Sequence, residues 1–312
     1  MKTVMARNIK TLLPSLLEIG KIKIGRKGQT KKSAGGTEFK LPEKLDYFLI
    51  TTLDRDKEGN FIKDKEIHKS LGEKPTSIPI MLLFNSIEGN FQSRYARYDG
   101  TTCVCAGDGE KAITSDEKEI ECPCEKADPK YDGKDKCKMN GTLSCMIRDV
   151  NRFGSCWKFR TTGFNSIQNL YSSLLLIMTM TGGQLAGIDL NLILVPKMAV
   201  NPTTGKPVKI YVAGIEFAGS MQNLIKTAHE FKQLQSGEQQ LLEAEIPNLI
   251  DDDLDEQDHI EEFYPEQAEG FKETVDTETG EVIEESEGEV EVVEKPEPEP
   301  EEKPTGKKKL SF

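Results

Sequence analysis

The sequence is poor in histidine and lacks the short motifs that mark many catalytic sites. Its three histidines, His68, His229 and His259, lie far apart and form no HExxH or similar array. The glycines between residues 20 and 36 have neither the Walker nor the G-x-G-x-x-G spacing, and no G-x-S-x-G motif is present. These absences argue against zinc peptidases, P-loop nucleotidases, dinucleotide-binding enzymes and α/β-hydrolases. We therefore expect a protein without enzymatic activity.

Long apolar runs are also absent. The longest one, around residues 171–180, contains serine and threonine and is far shorter than the roughly 20 residues of a membrane span. The apolar stretch near the N-terminus is interrupted by Glu18, so we expect neither a membrane partner nor a secretory signal. In a reducing cytoplasm, the seven cysteines are expected to be free thiols or metal ligands.

Charge is distributed unevenly along the chain. Residues 238–312 contain 27 acidic and 6 basic side chains, whereas residues 1–237 contain 26 acidic and 35 basic ones. The tail therefore carries −21 and the body +9, which sum to the net charge of −12. A basic body predicts a polyanionic partner. A long acidic tail is typical of a solvated, disordered segment, which can also screen a basic surface.

Hydrophobic periodicity predicts short strands mixed with few helices. The predicted strands are 21–24, 45–53, 77–85, 91–98, 156–162, 190–198 and 208–217, and the predicted helices are 8–19, 165–181 and 220 to about 243. This pattern predicts an α+β fold with a mainly antiparallel sheet or small barrel and two or three helices. We place the core domain at 1–246, with a zinc-bound cysteine loop inserted at about 103–145, and a disordered acidic tail at 247–312.

Three cysteines lie in IECPCEKADPKYDGKDKCK (residues 120–138), which is too polar and irregular to be held by a hydrophobic core. Cys122 and Cys124 can form one side of a tetrahedral zinc site, and Cys137 can return from the loop as a third ligand. The fourth ligand is Cys105 or Cys103, and we expect only one of these two thiols to serve. We favour Cys105. Four thiolates leave no position for water, so the predicted Zn²⁺ is structural.

Aromatic and basic residues alternate in two predicted strands, a pattern that suits base stacking and phosphate contacts in single-stranded nucleic acid. A solvated basic face over core aromatics is the competing interpretation, and the basic body favours binding. The predicted nucleic-acid-binding residues are Lys21, Lys23, Arg26, Lys27, Lys31, Lys32, Arg94, Tyr95, Arg97, Tyr98, Trp157, Lys158 and Arg160.

Several strings, taken in order, resemble the phage recombination directionality factor-like family, whose members are often labelled "hydrolase or metal-binding protein". They include LPEKLDYFLITT, CAGDGEKA, ECPCE, CKMNGTLSC and WKFRTTGFNSIQNLYSSLLLIMTMTGGQLAGIDLNLILVPK. The resemblance covers roughly residues 8–225. It implies a bacteriophage protein in the cytoplasm of the infected host, with a zinc site at the cysteines. In some members it implies binding to a serine integrase that turns recombination towards excision.

The tail is similar in style to the acidic tails of single-stranded DNA-binding proteins, which end in a phenylalanine that docks into partner enzymes. Phe312 fits that pattern, whereas the preceding KKKLS departs from it because those tails stay acidic. The sequence thus predicts an accessory protein that binds single-stranded DNA and/or a serine integrase to control phage recombination or replication. A pure protein-binding integrase regulator and a zinc-dependent hydrolase remain as alternatives. The sequence does not predict the oligomeric state.

Overall fold

The computed structural model describes residues 16–32, 38–100, 102–128, 130–131, 133–148, 150, 152, 154–200, 205–236, 262–264, 274–275 and 282–283. The strands are β1 (Leu17–Lys32), β2 (Glu38–Arg55), β3 (Phe61–Lys63), β4 (Ser77–Met81), β5 (Phe91–Asp99), β6 (Thr102–Gly107), β7 (Lys111–Thr114), β8 (Glu119–Glu121), β9 (Lys138–Ile147), β10 (Ser155–Thr161), β11 (Asp189–Val200), β12 (Pro207–Glu216), β13 (Thr274–Val275) and β14 (Val282–Ile283). The helices are α1 (Lys65–Leu71), α2 (Ile87–Asn90), α3 (Phe164–Met180) and α4 (Met221–Ser236).

Twelve strands form one open sheet in the order β3-β2-β1-β10-β9-β5-β6-β7-β8. A branch leaves this path where β4 pairs with β9 and with β11, which in turn pairs with β12. The described pairs are antiparallel except β1 with β10, which run in parallel. The prediction of a mainly antiparallel sheet with a few helices is therefore confirmed. The small-barrel alternative is wrong, because the strand order has two separate ends.

Helix α3 covers the core side of the branched sheet. Its buried residues Ile167, Leu170, Leu174 and Ile177 recur at the three- to four-residue spacing of one helical face. They join Phe48, Phe159 and many aliphatic side chains in one hydrophobic core. This core holds one face of the central strands and leaves the other face for polar side chains. No helix in the described part of the chain is long and apolar enough to cross a membrane.

The N-terminal helix prediction is wrong where it can be compared. Leu17–Ile19 belongs to β1, because Leu17 and Glu18 pair with Ser155 and Cys156 of β10. Residues 8–15 lie outside the described residues. The pairing partner is about 140 positions away, so local helical spacing was outweighed by a long-range contact.

The sequence patterns did not predict the two short helices, α1 and α2. Helix α1 begins after Asp64, whose carboxylate accepts hydrogen bonds from the backbone N–H groups of Glu66 and Ile67, each at 3.1 Å. Helix α2 is capped in the same way by Ser86. Both caps are visible in the sequence, but each helix is shorter than the span over which periodicity can be recognised.

Candidate functional site

The face of the sheet that lies opposite the core carries a row of cations. On β1 and β10 the paired residues Ile22 and Phe159 are buried in the core, while the paired residues Lys21 and Lys158 lie on the other face. Arg160 follows two positions along β10 on that face. We call this surface, made by β3, β2, β1, β10, β9 and β5, the basic face. The strand alternation predicted from the sequence is what separates core aromatics from these cations.

Three of these cations surround one carboxylate. Glu18 lies 3.3 Å from Lys21 Nζ, 3.4 Å from Lys158 Nζ and 3.6 Å from Arg160 Nη2. The four side chains are only 6–14% exposed. The cluster thus gathers three cations in a partly desolvated site, where electrostatic interactions are stronger than in bulk water.

An aromatic ring that the sequence interpretation missed lies beside the cluster. Phe61 on β3 is half-buried, and its ring centroid lies 4.4 Å from Arg55 Cζ, 5.0 Å from Lys21 Nζ and 5.4 Å from Lys23 Nζ. Phe61 follows a polar turn and begins a strand of only three residues, so no alternating pattern marked it. A ring surrounded by cations is an arrangement suited to stacking a base near phosphates.

The predicted nucleic-acid-binding residues are divided among several places. Lys21, Lys23, Lys158 and Arg160 lie on the basic face, and Arg94 pairs with Asn140 at its β5 end. Trp157 is buried in the core, which leaves no ring face for a base, so its assignment is corrected.

The remaining predicted nucleic-acid-binding residues either lie away from the Glu18 cluster or have side chains outside the described part of the structure. Arg26 is exposed and makes a two-point ion pair with Glu43, with distances of 2.8 and 3.1 Å. Lys27, Lys31 and Lys32 have their backbone in β1, but their side chains lie outside the part that the structure describes. Tyr95 and Arg97 lie beside the cysteines.

A segment of the acidic tail docks on the basic face. We call Glu262–Tyr264 the strap. The Glu262 carboxylate lies 2.6 Å from Lys23 Nζ, and the Lys138 ammonium donates a hydrogen bond to the Phe263 carbonyl at 2.7 Å. The sequence signal for this contact was the aromatic pair Phe263 and Tyr264 inside an otherwise acidic run.

Tyr264 anchors the strap. Its side chain is fully buried, and its hydroxyl accepts a hydrogen bond from Asn140 Nδ2 (2.8 Å) and donates one to the Ala96 carbonyl (3.0 Å). Its ring centroid lies 5.0 Å from that of Tyr98, and Lys138 Nζ lies 4.7 Å from it on the ring face. Tyr98 is itself buried in this small cluster, so its ring is covered by the strap.

The strap lies beyond the predicted core boundary at residue 246. Most of the predicted disordered tail, and Phe312 with it, lies outside the described residues. Within the described part of the tail, β13 and β14 also form a two-stranded hairpin.

The cysteine-bearing insertion is more regular than its composition indicated. Strands β6, β7 and β8 extend the sheet, and a 3-10 turn at Glu125–Ala127 follows Cys124. The Cys122 N–H donates to the Glu110 carbonyl (3.0 Å), and the Cys137 N–H donates to the Lys126 carbonyl (2.9 Å). These bonds tie the end of β8 to the turn before β7, and the start of β9 to the 3-10 turn.

The four favoured cysteines converge in this insertion. Burial raises the pKa of Cys137 to about 12, and the neighbouring Cys124, Cys105 and Cys122 contribute to that rise. Burial is also the main cause of the raised pKa of Cys105, with Cys124 and Cys122 again among its neighbours. Cys103 instead packs against the cluster of Ala96, Tyr98 and Tyr264.

The insertion is fitted closely around Cys122. A Cβ at Gly107 would lie 2.7 Å from Cys122 Sγ, so this glycine lets the sulfur approach the backbone of β6. Four thiols are a donor set that suits structural zinc. Among the described residues, however, no group of three or more metal-ligating side chains is gathered as a metal site. The Zn²⁺ therefore stays a prediction.

A polar network holds the loop that leads to Cys137. Asp135 accepts hydrogen bonds from Lys126 and from the Tyr131 hydroxyl (2.6 Å), and these bonds lower the pKa of its carboxyl group. Arg97 lies 3.6 Å from the same carboxylate. Burial raises the pKa of Tyr95, with smaller contributions from Cys122 and Cys137. Tyr95 and Arg97 thus line the cysteine insertion, on the face opposite to Arg94 and Ala96.

One comparison with known proteins identifies relatives of this chain. A family model described as Gp3-like, recombination directionality factor-like, matches residues 19–218. No curated protein and no solved structure gives a significant match. The matched region runs from β1 to the end of β12 and includes both the cations of the basic face and the cysteine insertion. It covers 200 of the 312 residues, so the chain belongs to the Gp3-like family of recombination directionality factor-like proteins.

Proposed function

We propose that this chain is a non-enzymatic accessory protein of phage DNA recombination or replication that binds DNA, as a single strand, through its basic face. The observation that carries this proposal is the gathering of three cations, Lys21, Lys158 and Arg160, around Glu18 on the basic face. We place the protein in the cytoplasm of the infected host, where nucleic acid is an abundant polyanion. Cations supply the affinity, and the Phe61 ring supplies a stacking surface for a base.

Salt-titrated binding tests this function. Fluorescence anisotropy with labelled single-stranded and double-stranded oligonucleotides of one sequence is measured from about 50 to 200 mM salt, where phosphate contacts lose most affinity. We expect the single strand to bind more tightly and the logarithm of its association constant to fall linearly with the logarithm of salt concentration. Absence of binding to both DNAs at the lowest salt concentration would refute the proposal.

The cysteine insertion has a structural role in this proposal. Cys105, Cys122, Cys124 and Cys137 would hold a Zn²⁺ ion, which would tie the polar loop of residues 125–137 to β6. The ion would supply binding energy that this charged loop cannot obtain from hydrophobic burial. Because four thiolates fill a tetrahedral site, we propose no hydrolytic step there.

A second candidate function is supported by a different surface. Helix α3 exposes the apolar side chains of Phe164, Tyr171 and Leu176 at 53%, 45% and 57%, outside its buried stripe. Exposed apolar surface of this kind is typical of protein-binding sites. In this alternative the chain is a regulator that binds a serine integrase and does not contact DNA. Capture of the integrase by wild type but not by Leu176→Arg, with no gel shift by the free protein, would favour it.

A further inference from the structure

The strap brings acidic chain onto the surface that is proposed to bind DNA. Residues 251–262 read DDDLDEQDHIEE and contain eight carboxylates and no lysine or arginine. The strap is the end of this run, and its Glu262 lies against Lys23. The segment between α4 and the strap has 25 residues, more than enough to cross the sheet at about 3.4 Å per extended residue. The sequence that ends in the strap therefore carries a high density of negative charge, as a nucleic acid backbone does.

The strap also resembles a nucleotide in the order of its groups. An aromatic ring, that of Tyr264, contacts both the Tyr98 ring and the Lys138 ammonium. An anion, the Glu262 carboxylate, lies two residues away at Lys23 and above Gly25, where an added Cβ would be 3.2 Å from Glu262 Oε1. A planar ring and an anion held at adjacent subsites are the two parts of a nucleotide that single-strand-binding proteins contact.

We propose that the pocket filled by Tyr264 is a subsite for single-stranded nucleic acid, in which a base replaces the Tyr264 ring and a phosphate replaces the Glu262 carboxylate. The strap is then a tethered competitor that covers the subsite until a strand displaces it. This inference rests on the proposed function and names the place where one nucleotide binds.

The polar groups of the pocket suit every base. The Ala96 carbonyl accepts a hydrogen bond and the Asn140 amide donates one, both to the Tyr264 hydroxyl. Each of the four DNA bases carries a donor next to an acceptor on its Watson–Crick edge, an edge that single-strand readers commonly contact. The pocket therefore predicts stacking on Tyr98 with little preference among bases.

The surroundings favour a nucleic acid over an acidic peptide from another protein. The cations continue from the strap to the Glu18 cluster and the Phe61 ring, well beyond the length of a three-residue motif. A peptide that matched only the strap would not reach these groups, whereas a strand of several nucleotides would contact them in succession.

Release of the strap in the full-length chain tests the proposal. Tyr264→Ala removes the anchor, and Glu262→Gln weakens the contact with Lys23 while it keeps the ring. If the strap covers the subsite in about nine of ten molecules, Tyr264→Ala should bind a single-stranded oligonucleotide about tenfold more tightly than wild type. Glu262→Gln should give a smaller gain. Met221→Ala, which removes an exposed side chain of α4, is the control and should leave affinity unchanged.

The contribution of base stacking to the affinity is tested in the Tyr264→Ala variant, from which the strap has been released. Adding Tyr98→Ala to Tyr264→Ala should weaken binding about tenfold, the usual effect of losing one stacked base. If wild type binds DNA and Tyr264→Ala binds no better, the subsite is refuted and the proposed function stands. If the gain persists without Tyr98, release of negative charge alone explains it and the base subsite is wrong.

Two further outcomes complete the test. A labelled peptide of residues 256–268 should bind Tyr264→Ala and be displaced by the oligonucleotide. Peptide binding that the oligonucleotide does not displace would identify a peptide site and overturn the proposal. If no variant binds DNA at low salt, the proposed function itself fails and this inference fails with it.

Discussion

The buried side chain of His68 shows how one residue couples this fold to pH. Its Nε2 accepts a hydrogen bond from the Ile50 N–H at 3.0 Å, so Nδ1 carries the proton and donates to the Gly72 carbonyl at 3.2 Å. Burial lowers the pKa of this imidazole below its ordinary value of about 6.5. Protonation of Nε2 would place a second donor against the Ile50 N–H. The neutral form is therefore the one that fits β2.

We expect the free energy of unfolding to fall as the pH is lowered below about 6.5, because the unfolded chain takes up a proton at His68 that the folded chain resists. Above that pH both states are neutral and the stabilisation is complete. Urea unfolding of wild type and His68→Gln at pH 7.5 and 5.5 measures this. The variant should lose that part of the pH dependence and be about 1–3 kcal/mol less stable at pH 7.5, since the Ile50 N–H loses its acceptor.

His229→Gln is the matched control for this measurement, because His229 is exposed on α4. It should keep the pH dependence and stability of wild type. Equal pH dependence in wild type and His68→Gln would show that His68 does not contribute.

The cysteines give a second prediction at the residue scale. Cys122→Ser should lower the zinc content of the purified protein and destabilise the insertion, because a hydroxyl is a much weaker zinc ligand than a thiolate. Cys103→Ser should retain the metal, because Cys103 packs beside Tyr98 and is not among the cysteines that raise the pKa of Cys137. Atomic absorption on dialysed protein checks both. Zinc retained by Cys122→Ser, or lost from Cys103→Ser alone, would contradict the favoured ligand set.

At the scale of elements, α3 stabilises the body through one side only. Leu174 is completely buried among the side chains that cover the sheet, whereas Leu176, two positions later, is 57% exposed. Leu174→Ala should lower the free energy of unfolding by about 2–5 kcal/mol, the usual cost of a buried leucine truncation with its residual cavity. Leu176→Ala should change it by less than about 0.5 kcal/mol, as is usual for surface sites. Chemical denaturation of the two variants measures the contrast.

The elements also show what sequence patterns can and cannot predict. Helix α3 and the β11–β12 hairpin were predicted closely, because the spacing of Ile167, Leu170 and Leu174 and the turn at residues 201–206 are local signals. The start of β1 was mistaken for a helix because its pairing with β10 is a long-range contact. Trp157 was assigned to a binding surface because alternation reveals two faces without identifying which one is buried.

At the scale of the whole molecule, the acidic tail and the basic body, which differ in charge, contact each other directly. The sequence predicted a basic body and an acidic tail that can screen it, and the structure places Glu262 against Lys23. The sequence could not indicate that Tyr264 fixes the position of this contact between Ala96 and Asn140, because these residues are more than 120 positions away from it. Only the fold brings β5 and β9 under the strap.

The same asymmetry makes a prediction for the strength of DNA binding. Lys158→Gln and Arg160→Gln each remove one cation from the basic face, so each should weaken single-strand binding and reduce the slope of log association constant against log salt by about 0.7. The double variant should lose about twice that slope. Lys226→Gln, on exposed α4, removes the same charge from a distant surface and should retain the wild-type slope. A uniform loss in all three variants would show that net charge alone, rather than the cluster around Glu18, governs binding.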